Sequence, residues 1–308
     1  MTHQISAWAN LTLAMIIVGS SVVFGKVITS EFPVFLASCI RFAIASAVML
    51  PLLIKTEGAF YRPGRQDLRR LIGMAFCGQF VFTALVLLGL RYTSAIEAGI
   101  ITSTSPAMMA VVAFFLFRER PAFFQVAAVL LAVGGVISVN GLTGSGLSTD
   151  HLTGNLMMVG AVVGEAVFLL MRKSISKALS NMALTAYLCF TGFIMFLPFA
   201  LYQGIDFKFS AVSAGAWWAM MYFGAVFTVL AYIFWFRGVS RVSGAVAGIF
   251  SAVMPVSGVV LSCLFLKESF TFSHGIGMAM VLSGIVIMAL APRKRSAGKE
   301  PAPVSESV

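Results

Sequence analysis

The sequence predicts an all-α integral membrane protein. It reads as ten transmembrane helices forming two inverted five-helix repeats, with both termini cytoplasmic. Three observations carry this reading. The 308 residues are 59% hydrophobic and only 10% charged, with a mean hydropathy of +0.98, whereas a soluble domain carries about 25% charged residues. Ten stretches approach the ~20 apolar residues a membrane helix needs: 7–25, 33–54, 71–90, 95–117, 123–140, 154–172, 181–202, 212–236, 242–265 and 274–291. Finally, residues 93–139 recur loosely, without a gap, 149 positions later.

The recurrence sets the architecture. Pro106 falls on Pro255, Glu119 on Glu268, Phe123 on Phe272 and Gly135 on Gly284. The run from Ser94 to Ile100 falls on Ser243 to Ile249. The shift covers five spans, an odd number, so the copies are expected to cross the membrane in opposite senses. Inverted repeats are a way of building secondary transporters. The first repeat is expected at 1–140, a Gly/Ser-rich linker at 141–153, the second repeat at 154–291 and a disordered cytoplasmic tail at 292–308.

Charge placement orients the spans. Sixteen of the 21 Lys and Arg residues lie after spans 2, 4, 6 and 8 or in the tail; four (Lys26, Arg91, Lys208 and Lys267) lie on the other side, and Arg41 lies within span 2. The positive-inside rule then places both termini in the cytoplasm, and an even span count is required. The first stretch lacks a basic leading region and a small-residue cleavage site, so it is expected to remain as a mature span. The net charge of +10 is a topology signal, and no nucleic-acid partner is expected. Trp8 and Trp235 fall at inner edges, and Trp217, Trp218, Tyr92 and Tyr202 at outer ones, the depth amphipathic rings favour.

Composition also excludes chemistry. Cys39, Cys77, Cys189 and Cys263 sit inside spans without metal-ligand spacing, and His3, His151 and His274 lie at span edges. No metal, cofactor or enzymatic centre is expected. No G-x-x-x-x-G-K-[ST] run occurs, so the driving force is expected to be a gradient rather than ATP.

Several segments resemble the drug/metabolite transporter superfamily, and within it the EamA-like ten-helix carriers. Gly19-Ser20-Ser21-Val22-Val23-Phe24-Gly25-Lys26 is similar to the family's pattern at the end of span 1, and Pro33 with Arg41-Phe42 to its span 2. Tyr92-Thr93-Ser94-Ala95, Ser105-Pro106 and Arg118-Glu119 resemble its span 4 signature. Gly244-Ala245, Pro255 and Lys267-Glu268 repeat that signature in the second half. Val18 and Glu165 depart from the pattern. The resemblance implies a multi-pass carrier of the cytoplasmic (inner) membrane that moves small metabolites, often as an exporter of amino acids or related compounds. Its implied mechanism is alternating access between two five-helix halves.

Glu165 is the sharpest candidate residue. It lies well inside span 6, and a charge at mid-bilayer depth usually faces a cavity or a partner. It could bind a substrate ammonium group, bind an exchanging proton, or be a hydrogen-bonded structural residue. Gln79, Ser20, Ser21, Ser103, Ser105, Tyr222 and Tyr232 are further polar candidates for a central tunnel, with Phe76 and Phe227 as apolar wall. The same hydroxyls could instead join helices. Lys26, Arg41 and Glu97 are read as lying towards the outer side, with Glu97 paired to either cation as a static bridge or an outer gate. Pro106 and Pro255 each remove an amide donor, opposite Thr102 and Ser251, and could be hinges or structural kinks. The expected partners are a small-molecule substrate and the lipid bilayer, and the chain is expected as a monomer or homodimer. Import or exchange of other metabolites and lipid flipping are the alternatives.

Overall fold

In the computed structural model, residues 2–57, 63–118, 122–141, 149–172, 175, 179–242 and 244–290 are described. Residues 142–148 of the expected linker, and the tail from 291, lie outside them. Among the described residues every regular element is helical. The helices are α1 Thr2–Gly19, α2 Ser21–Glu31, α3 Val34–Glu57, α4 Arg65–Ala75, α5 Phe82–Tyr92, α6 Ala95–Thr102, α7 Ser105–Phe117 and α8 Phe123–Gly141. They continue as α9 Thr149–Met171, α10 Asn181–Gly204, α11 Ala214–Met221, α12 Ala231–Val239, α13 Gly244–Ser251, α14 Val253–Phe265 and α15 Phe272–Leu290. Two π-helical segments, Phe76–Val81 and Tyr222–Leu230, join α4 to α5 and α11 to α12.

Among these residues, eight continuous helical stretches are long and apolar enough to cross a membrane; α6 and α7, bent by 47°, make a ninth when counted together as one span. The apolar helix Phe123–Val139 is shorter. Large apolar side chains cover the outside, Phe272 and Phe115 among them. Such a surface is stable only against lipid, where each backbone polar group must be satisfied within a helix.

The two halves repeat element by element. α3 and α10 are both 24 residues long, with Pro51 and Pro198 equally far from their starts. Each half carries one π segment. α8 and α15 are 19 residues each. The two non-glycine residues with positive φ among those described are Arg118 (φ 51°) and Lys267 (φ 54°). These are repeat-related positions, where the chain turns sharply after α7 and α14.

The halves interlock rather than lie side by side. α3 packs along α10 and α8 along α15. α1 packs on α12, α13 and α14 of the second half, and α9 packs on α5, α6 and α7 of the first. Exchanging the halves converts these last two sets of contacts into each other. A Cβ on Gly135 would stand 2.9 Å from the Gly277 carbonyl oxygen, and one on Gly284 would stand 3.2 Å from that of Ala128. The repeat maps the first contact onto the second, so small residues allow close backbone approach at symmetric places. By these contacts α9 is seated on α5–α7 of the first half, and α1 on α12–α14 of the second.

Candidate substrate cavity

A cavity of about 310 Å³ lies between the halves. Its wall is mostly apolar, with Ser21, Arg41, Gln79, Thr83, Glu165, Thr228 and Tyr232 among the polar residues that face it. Ligand pockets are commonly built this way, and this volume is at the small end of their range. Both π segments reach the wall, through Gly78 and Gln79 on one side and Phe227 and Thr228 on the other. A π turn inserts one residue and re-aims the side chains around it.

Arg41 is almost wholly buried. Its Nε donates to Thr228 Oγ1 at 3.0 Å and its Nη1 to Thr83 Oγ1 at 3.4 Å. Thr228 Oγ1 in turn donates to the Phe223 carbonyl, five residues back, at 2.8 Å. The π turn therefore positions the hydroxyl that holds the guanidinium. The rings of Phe42, Phe223 and Phe227 surround the guanidinium carbon at 4.8, 4.6 and 4.9 Å. Ring faces attract such a cation. Among the described residues no carboxylate lies within 4.0 Å of it.

Glu165 enters the cavity from α9. The neighbouring Ala166 and Leu170 pack on Val112, Met108 and Met109 of α7. Its carboxyl contacts Ser105 Oγ, the first residue of α7. Ser105 Oγ also donates to the Thr102 carbonyl at 2.7 Å, the group that Pro106 deprives of an amide donor. Ser105 has one hydroxyl proton. If that proton goes to the Thr102 carbonyl, Glu165 must supply its own to make the contact. An ionised Glu165 would take the Ser105 proton and leave the carbonyl unmet, at a cost of about 1–3 kcal/mol. Ser105 thus joins the Glu165 carboxyl to the break between α6 and α7.

A second polar cluster lies at the start of α6, around Glu97. Glu97 Oε2 accepts from Thr93 Oγ1 at 2.6 Å and from Asn155 Nδ2 at 2.9 Å. His151 Nδ1 lies 3.6 Å from Oε2, and His274 Nε2 lies 3.9 Å from Oε1. Ser94 Oγ caps α6 by accepting from the Glu97 amide at 3.0 Å. The Ser-x-x-Glu spacing is that of a capping box. Here Glu97 turns away, and Glu268 of the other half accepts from the Ala95 and Ile96 amides at 2.9 Å each. Lys26 Nζ donates to the Leu90 and Thr93 carbonyls.

The structure brings part of the expected set together. Glu165, Gln79, Ser21, Phe227 and Tyr232 line the cavity. Ser20 does not; its hydroxyl meets the Tyr222 hydroxyl at 2.7 Å and joins α1–α2 to the second π segment. Ser103 bonds back to the Gly99 carbonyl and, with Pro106, borders a separate small void. Ser105 reaches the cavity only through Glu165. Phe76 is half exposed on the outside and stacks on Phe80, so it is not a cavity wall.

Three expectations about gating residues are corrected. Arg41 lies in the cavity wall, away from Glu97. Glu97 makes no ion pair within 4.0 Å with Lys26 or Arg41; its carboxylate accepts from Thr93 and Asn155, with His151 and His274 at 3.6 and 3.9 Å. Pro106 opens α7 instead of kinking a continuous helix. The break itself falls at Ser103–Thr104, and its counterpart falls at Ala252, just ahead of Pro255. Thr83, Thr228 and Phe223 were missed. Their positions depend on the π turns, and the only hint in the sequence is a hydroxyl inside an apolar run.

The profile of the EamA-like transporter family matches this chain twice, over residues 7–141 and 152–290. The chain belongs to that family. YetK of Bacillus subtilis (strain 168), named an uncharacterized transporter, is 41% identical over 297 residues, spanning 96% of this chain and 90% of its own. An uncharacterized transporter of Archaeoglobus fulgidus is 24% identical over 282 residues, spanning 90% and 95%. One crystal structure superposes with a TM-score of 0.64 at 19% identity, covering 92% of this chain and 98% of its own, which supports the fold alone. As an EamA-like protein, the chain is a multi-pass membrane transporter.

Proposed function

We propose that this EamA-like protein is a secondary active transporter of the cytoplasmic membrane, and that it exports amino acids or related small amphipathic compounds by alternating access. The single observation that carries this reading is Glu165, an acidic residue facing a mostly apolar cavity between two repeats. With ten spans, inverted halves and cytoplasmic termini, the Glu97 cluster faces outward and closes that side. Thr185 and Trp235 then mark the cytoplasmic end of the cavity. Two bodies, α5–α7 with α9 and α12–α14 with α1, rock about the cavity, and the break at Ser103–Thr104 changes its bend. Glu165 carries either the substrate ammonium or a proton, and Ser105 passes its state to that break.

Counterflow in proteoliposomes tests this. The wild-type chain and Glu165→Gln are loaded with unlabelled solute and offered a panel of radiolabelled amino acids and amines, without ATP. Wild-type accumulation of one compound, lost in the variant, is the expected result. Folded wild-type protein that exchanges none of them would remove amino acids from the account.

A further inference from the structure

We propose that the cavity binds a small zwitterion, with its carboxylate on Arg41 and its ammonium group on Glu165. This rests on the reading that the cavity is the transport site, and it adds Arg41 as a second recognition residue.

The argument starts from an unbalanced cation. A guanidinium stays charged in proteins, and at membrane depth it needs a partner. The partners of Arg41 are two neutral hydroxyls and three ring faces. They hold the planar group in place and shield it from lipid, but they leave its charge uncompensated. Arg41 lines the cavity, so a carboxylate arriving there completes the pair. Arginine is suited to this role because its fork matches a carboxylate with two parallel hydrogen bonds.

The second end is Glu165. It lines the same space without forming an ion pair with Arg41, and Tyr232 lies within electrostatic reach of both. An acid and a fixed cation that face one small cavity, yet do not pair with each other, make a dipolar site once Glu165 is ionised. The rest of the wall is mostly apolar, with Val18, Val22, Leu87, Phe168, Leu188 and Met254. An α-amino acid with an apolar side chain offers all three surfaces. An amine, an amide or a simple carboxylate leaves one buried charge unpaired, and sites built to pair a group strongly reject analogues that lack it.

The test is uptake by full-length protein in proteoliposomes, measured against protein-free liposomes. The probes are leucine, leucinamide, 3-methylbutylamine and 4-methylpentanoate, with phenylalanine and its corresponding amide, amine and carboxylate as a second series. Wild type is expected to carry the amino acid at least about tenfold better than its analogues, the equivalent of one charged hydrogen bond. Arg41→Gln is expected to remove that preference, lowering amino-acid uptake at least about tenfold more than amide or amine uptake. Arg41→Lys keeps the charge and is expected to fall between the two. Equal wild-type transport of amide and amino acid would overturn the zwitterion assignment while leaving the carrier reading standing. Loss of all four solutes by the same factor in both Arg41 variants would overturn it too, since that is the mark of a purely structural arginine. Failure of wild type to carry any probe would overturn both readings.

Discussion

Thr228 shows how one hydroxyl links local backbone geometry to recognition. It satisfies a π-turn carbonyl and accepts from the Arg41 Nε. Thr228→Val keeps the shape and removes the acceptor. An unmet bond to a charged group costs about 1.5–3 kcal/mol, so KM for the transported amino acid should rise about tenfold or more; unchanged KM would mean that Thr228 does not position Arg41. Glu165 was legible from the sequence because depth along an apolar span is enough to mark it. Arg41 was legible as an intramembrane charge, but its partner was not. Which neighbour a helix face meets depends on how the helices pack, and sequence spacing within one helix does not contain that. The histidines at Glu97 follow the same rule. They lie 54 positions after Glu97 for His151 and 177 for His274, and only the interlocking of the halves brings them to one carboxylate.

The crossing formed by α6 and α7 connects the two polar centres. One end carries Glu97, and its broken middle carries Ser105 against Glu165. The paired prolines announced an irregularity in the sequence. The position of the break was not announced, because Thr102, Ser103, Thr104 and Ser105 can all return hydrogen bonds to the backbone and so support more than one local geometry. The π segments left no periodicity signal, since both lie in runs that are apolar on nearly every face. If Ser105 transmits the state of Glu165, Ser105→Ala should lower flux several-fold in folded protein, and Ser105→Thr, which keeps the hydroxyl, should restore most of it. Equal flux in Ser105→Ala and wild type would detach Glu165 from the break.

At the scale of the whole molecule, the repeat, the all-helical membrane class and the family were readable from sequence; of the ten expected spans, the described residues show eight, or nine with the bent pair. The interlocking was not readable. A repeat shows that two units are alike, and says nothing about whether α1 and α9 stay with their own half. Those two exchanges, with the symmetric contacts at Gly135 and Gly284, fold both units around one cavity. The central claim is that substrate occupies that cavity. The most direct measurement places a thiol there, as Ser21→Cys in a background with Cys39, Cys77, Cys189 and Cys263 changed to alanine. Its rate of modification by a small methanethiosulfonate is then followed in proteoliposomes. Leucine should slow the labelling several-fold and leucinamide should not. Labelling that is indifferent to leucine, in protein that still transports leucine, would place the substrate elsewhere and contradict the account.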